Sequence, residues 1–148
     1  MKLLRNYRLG FVVMLVPLAL IAFWPRPVDQ PIQGQIAVVF DLLHRNGIPS
    51  WFNYKFLEAF ANTVLFVPYG FVGALAFPNK RWWQIGALGL ALSGCMELGQ
   101  LLFLPGRSST PLDLVMNMAG AVTGAQLAAL KVKNYRPAAF RRRTSRSR

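Results

Sequence analysis

Acidic residues are nearly missing: the 148-residue chain holds 5 Asp and Glu together, with 1 His and 1 Cys. A single cysteine excludes a disulfide framework and a thiolate metal site, and Cys95 lies within an apolar run. A single histidine excludes a His-based metal set. His44 has only Asp41 at ligand spacing and is expected to be a satisfied interfacial histidine, so neither metal nor cofactor is expected. No Ser/His pairing and no Gly-rich phosphate loop can be read. Charged residues make up 15% of the chain, against about a quarter in ordinary water-soluble domains. What fills the sequence instead is apolar: 54% of residues, among them 11 Phe and 4 Trp. The solvent expected for such a chain is a lipid bilayer.

The formal net charge of +12 is unevenly placed. Of the 17 basic residues, only Arg26, Arg45, Lys55 and Arg107 fall outside the N-terminal stretch, the Lys80–Arg81 pair and the 131–148 tail. Lys and Arg are retained on the cytoplasmic side of membrane proteins, so both termini and the 78–81 turn are expected inside. The tail from residue 132 is expected to be disordered and drawn to anionic lipid, each basic residue contributing about 1 kcal/mol near the surface. It lacks the aromatic or groove-fitting elements of nucleic-acid binding, so no nucleic-acid partner is expected.

Four apolar segments can be read, at 9–24, 56–77, 82–104 and 111–130, each near the roughly 20 residues that span hydrocarbon. An even number of crossings matches the charge placement. The 9–24 segment could serve as a cleaved signal peptide, but no small-x-small pair precedes Trp24-Pro25-Arg26-Pro27, and its loss would put the turn and the tail on opposite sides. Retention is therefore expected. Between the first two spans, Ile32, Ile36, Val39 and Leu43 share one helical face opposite Gln33, Asp41, His44 and Arg45, the pattern of an amphipathic helix on the outer surface. The expected fold is all-α: an integral membrane bundle of four transmembrane helices in a 1–131 domain, with the surface helix after the first and the 132–148 tail behind it.

Ionisable groups within hydrocarbon are costly and usually functional. The 111–130 segment places Asp113, Asn117, Gly120 and Gly124 in one arc, the last two forming a small-xxx-small pair. The 82–104 segment places Gly86, Gly89, Ser93, Glu97 and Gln100 along one side, and the 56–77 segment does the same with Glu58, Asn62, Phe66, Tyr69 and Gly73. Three faces of this kind are expected to turn toward one another. Helical rise sets Asn62, Glu97, Gln100, Asp113 and Asn117 within roughly two turns of the outer surface, and Arg107 in the short outer loop. Pro68 cannot donate to the Val64 carbonyl and is expected to kink its helix, with Gly70 and Gly73 nearby letting backbones approach. Amides in a membrane can also act merely as glue between helices, at about 0.6 kcal/mol each. Two carboxylates and an Arg at one depth are poorly explained that way, because buried ion pairs are weak stabilisers.

Three motifs, Asn62-Thr-Val-Leu-Phe-Val-Pro-Tyr-Gly70, Glu97-Leu-Gly-Gln100 and the stretch from Arg107 to Gly124, resemble in order and spacing the VanZ-like family of small bacterial multi-pass membrane proteins. The resemblance runs from Asn62 to Gly124, with the family region at 56–131. The chain departs from it between Arg107 and Asp113, where family members often carry a further acidic residue. The resemblance implies a protein of the bacterial cell envelope in the cytoplasmic membrane, and the family's namesake is associated with low-level teicoplanin resistance. The function expected is an outward-facing site that binds or modifies a polar, lipid-linked envelope molecule. Arg107 would grip a phosphate or carboxylate, Glu97 and Asp113 would receive a hydroxyl, amine or proton, and Asn62, Gln100 and Asn117 would orient the ligand. An enzymatic version would rest on Glu97 as base and Asp113 as acid or orienter. Two other classes stay open: a small transporter, which would need a homo-oligomer, and an accessory or scaffold subunit.

Overall fold

The computed structural model describes residues 2–24, 30–104 and 110–135. Among these the chain is all-helical and forms no strand. Helix α1 (Lys2–Ala22) is followed by a 3-10 turn (Gln30–Ile32), α2 (Gln33–Arg45), α3 (Tyr54–Ala76), α4 (Trp82–Phe103) and α5 (Pro111–Tyr135). By length and composition three stretches can cross a membrane: Leu4–Ala22, Tyr54–Ala76 and Trp82–Phe103. Helix α5 is longer than any of them but is diluted by Asp113, Asn117 and Gln126.

The boundaries differ from the hydropathy reading at two ends. Helix α1 begins seven residues before the apolar run, since Lys2 to Arg8 are adequate helix formers whatever their hydropathy. Helix α5 likewise runs on through Lys131 to Tyr135, so the first four residues of the expected tail are helical. Residues 136–148 lie outside the described residues.

Local signals set the starts. Asn53 caps α3 by accepting from the Phe56 amide at 3.2 Å. At α4, the Gln84 side chain accepts from the Arg81 amide at 2.9 Å, half of a capping box. Helix α5 opens with Pro111 in its first turn, where a missing N–H costs nothing. At the end of α2, Gly47 takes φ 89°, the left-handed conformation that closes a helix.

Helix α5 sits between α3 and α4. Its buried residues, Asn117, Gly120, Ala121, Gly124, Ala125 and Ala128, form one small-residue stripe. Gly120 and Gly124 press on the backbone of α3: a Cβ on either would overlap the Thr63 or the Val67 carbonyl oxygen. Gly70 is seated the same way on the Ala121 carbonyl. Gly120 and Gly124, the small-xxx-small pair of the sequence, thus lie against the carbonyl row of α3. Pro68 lies within the unbroken span of α3. Helix α1 closes the other side, with Phe11 against Tyr69 at 4.8 Å and Phe77 at 5.3 Å between ring centres.

Helix α2 has no buried residue. Its inner side differs from the expected one: Ile36 and Leu43 are half-buried together with Gln33, Phe40 and His44, while Ile32 and Val39 stay exposed. The corner that follows explains the rotation. Phe52 draws in Phe40 edge-on at 5.7 Å, and the His44 ring nitrogen meets the Phe52 carbonyl at 3.0 Å.

Candidate functional site

A pocket of about 100 Å³ lies where α1 and α4 end and α3 and α5 begin. Leu18, Ile21 and Ala22 of α1 line one wall, and Glu58, Asn62, Leu65 and Phe66 of α3 another. Ser93, Met96, Glu97 and Gln100 of α4 face Asp113 and Asn117 of α5 across it. Helical spacing brings these about: Asn62 and Phe66, Ser93 with Glu97 and Gln100, and Asp113 with Asn117 each share a face.

The three amides are tied across helices. Gln100 Nε2 donates to the Ala22 carbonyl at 2.8 Å, holding the end of α1 against α4. Asn117 Nδ2 donates to Ser93 Oγ at 2.7 Å, joining α5 to α4. Asn62 Nδ2 donates to Asp113 Oδ1 at 2.7 Å, joining α3 to α5.

The two carboxylates of α4 and α5 are in opposite situations. Both oxygens of Asp113 are occupied: Oδ1 by Asn62, and Oδ2 by the Thr110 amide at 3.0 Å and the Thr110 hydroxyl at 2.9 Å. It sits in the first turn of α5, so it also closes the helix start and complements the positive end of the helix dipole. Glu97 Oε1, by contrast, is buried with no hydrogen-bond partner, as is Asn117 Oδ1. Such groups are uncommon in native proteins and call for an explanation.

A family model described as VanZ/LLP1 matches residues 10–132. The chain belongs to the VanZ/LLP1 family. No curated protein and no solved structure matches it. The VanZ/LLP1 match takes in every residue lining the pocket, from Leu18 to Asn117. Together with the three apolar helices, membership of VanZ/LLP1 marks a membrane-embedded protein.

Of the expected site residues in this VanZ/LLP1 chain, the structure brings together Asn62, Glu97, Gln100, Asp113 and Asn117. Arg107 lies outside the described residues. Gly70, Gly120 and Gly124 stand apart from the pocket, at the α3–α5 contact. Sequence reading missed the wall supplied by α1, because Leu18, Ile21 and Ala22 carry no polar signal. It also missed the cap of α5, although Thr110-Pro111-Leu112-Asp113 is a readable helix-start signature. Among the described residues no group of three His, Cys, Asp or Glu is placed to hold a metal ion. Among the described residues that line the pocket, Glu97 Oε1 and Asn117 Oδ1 are the buried side-chain atoms left without a partner.

Proposed function

We propose that the protein crosses the bacterial cytoplasmic membrane four times, with both termini inside. Its pocket then opens toward the outer side, where it binds the polar part of a lipid-linked envelope molecule. Lys80, Arg81 and Lys131 fall at the end of the bundle opposite the pocket, and the positive-inside rule makes that end cytoplasmic. Trp82 and Trp83 at that end, and Trp24 and Trp51 at the other, are all exposed, as in the aromatic belts of membrane proteins. The side chains that α4 turns outward, such as Leu98, Leu101, Leu102 and Phe103, are exposed and apolar.

Helix α5 completes the fourth crossing despite its composition, since Asn117, Gly120 and Gly124 are buried against α3 and α4 while Leu112, Val115, Leu127 and Leu130 face out. On α2, exposed Val38, Val39 and Leu42 lie beside an Asp41–Arg45 ion pair of 2.7 Å. That division supports a helix lying on the outer surface.

The observation that carries the reading is Glu97, which lines the pocket and whose Oε1 is buried with no protein partner. Uncompensated polar groups in a membrane interior are retained where they are used. Arg107, following α4 in the sequence, would supply a fork of donors for a phosphate or carboxylate of the same ligand. The three cross-helix bonds favour a positioning role for Asn62, Gln100 and Asn117, which hold the walls apart at a fixed width.

The test is complementation of a deletion strain by Glu97→Gln, Arg107→Lys and Asp113→Asn, scoring membrane abundance and sensitivity to teicoplanin and other envelope stress. Glu97→Gln and Arg107→Lys are expected to lose about tenfold in potency at normal abundance, the worth of one charge-assisted hydrogen bond. Full rescue by both would overturn the proposal. Loss that tracks falling abundance would make the cluster structural glue.

A further inference from the structure

The end of the bundle away from the pocket holds cations and no acidic side chain to meet them. The 5 acidic residues of the chain are Asp29, Asp41, Glu58, Glu97 and Asp113, so residues 1–28, 59–96 and 114–148 contain none. Those stretches supply that end: the start of α1, the α3–α4 turn and the last turns of α5. Arg8 ties the start of α1 to it, its Nε donating to the Ala76 carbonyl at the end of α3, 3.5 Å away. Lys80, Arg81 and Lys131 are exposed there. The counter-charge for this cluster must come from outside the chain.

An apolar groove of about 520 Å³ lies at the same end, between α3 and α5. Ala125, Ala128, Ala129 and Val132 recur at helical spacing, so α5 gives the groove one continuous wall, about 10 Å long at 1.5 Å per residue. Leu75 and Pro78 of α3 bound it on the other side. Lys80 and Trp82, from the α3–α4 turn and the start of α4, complete the lining. The volume is more than three times the roughly 150 Å³ of an apolar cavity that admits benzene. Apolar walls with a few polar groups to fix orientation are the usual make-up of a ligand site of that size. Among the described residues Lys80 has no ion-pair partner, and its ammonium carries three donors and no acceptor.

A ligand with a long apolar chain and a negative head meets both parts of this arrangement. In a membrane that molecule is a phospholipid, whose phosphate sits at the depth where Trp and basic residues collect. A second copy of this chain fits less well. Two copies in one membrane face the same way, so packing groove to groove would set two clusters of like charge at one depth, an arrangement that interfaces strongly penalise.

We infer that the groove holds an acyl chain of an anionic phospholipid, with the phosphate held by Lys80 beside Trp82. A net negative headgroup is favoured over a zwitterionic one because Arg81 and Lys131 add charge at that end and no acidic residue offsets it. The inference stands apart from the reading of the outer pocket and needs only the membrane setting.

The experiment takes the full chain in detergent micelles and titrates in phosphatidylglycerol or phosphatidylcholine of identical acyl chains. Bound lipid is counted by native mass spectrometry, and stability is followed by thermal unfolding. Phosphatidylglycerol is expected to saturate at a single lipid per chain, to bind at least about tenfold tighter than phosphatidylcholine and to raise the unfolding temperature. Lys80→Gln is expected to weaken it about fivefold, the effect of one basic residue near an anionic surface. Ala129→Phe keeps every charge and fills the groove, so it is expected to weaken both lipids. Lys80 and Ala129 are exposed, so neither change strikes the packed interior, and the comparison of the two lipids on wild type needs no variant. Equal affinity for the two lipids overturns the inference. So does a phosphatidylglycerol preference that survives Lys80→Gln and Ala129→Phe but is lost with Arg141→Gln, Arg142→Gln and Arg143→Gln together, which would assign the lipid to the basic tail. A change of oligomeric state in Ala129→Phe with lipid binding unaltered also overturns it, and makes the groove a contact between copies.

Discussion

Asp113 and Glu97 line one pocket, but only Asp113 has its oxygens satisfied by the protein. Their substitutions should therefore separate stability from function. Asp113→Ala removes a helix cap and strands the Asn62 donor, a combined loss of about 2 kcal/mol. A lower unfolding temperature in detergent is the expected readout. Glu97→Gln removes a carboxylate whose buried oxygen has no partner, so its unfolding temperature should equal or exceed that of wild type. A marked fall for Glu97→Gln would mean that this side chain stabilises the bundle after all. Sequence reading placed the two acids at one depth and gave them matching roles. It could not separate them, because which oxygen meets which donor depends on how α3 and α5 are aligned, and no spacing within one helix encodes that alignment.

Helices α3 and α5 approach through glycine, and the approach is close enough to be tested one methyl at a time. Gly120→Ala and Gly124→Ala each drive a Cβ into an α3 carbonyl, with no flexible side chain to yield. Each is expected to cost more than about 2 kcal/mol, in the range of overpacked cores, and to lower the folded yield in detergent. Gly34→Ala, with nothing within 4 Å of its Cβ, should be neutral or stabilise by up to about 1 kcal/mol through helix propensity. Equal behaviour of all three would refute the close contact. At this scale the sequence was largely readable. Period 3.6 exposed the stripes on α3, α4 and α5, and Gly120 with Gly124 announced a contact. Hydropathy misjudged the ends of α1 and α5, since it measures what lipid accepts and helix formation does not require lipid. The inner side of α2 was also out of reach, being set by the Phe52 corner that lies outside the helix itself.

The proposed orientation of the whole molecule makes a simple prediction about access. On a Cys95→Ser background, Ser50→Cys in the α2–α3 corner should react with a membrane-impermeant maleimide in spheroplasts. Asn79→Cys in the α3–α4 turn should react only after permeabilisation. The reverse pattern would invert the molecule and move the pocket to the cytoplasmic side. Composition and charge made the membrane setting plain, and motif order pointed to the family; the pocket needed the assembled bundle, because α1, α3, α4 and α5 each supply only part of a wall. The seat of α5 on α3 also bears on how the chain is made. Helix α5 comes last among the described helices and is the long helix that is not apolar enough by composition to stand among the three candidate crossings. Its glycine row finds its match in the carbonyls of α3, synthesised two helices earlier. On the proposed four-crossing topology, α3 and α4 would form a receptor already standing in the membrane during biosynthesis, α5 would partition into protein more than into lipid, and the pocket would come into being only at that final docking step.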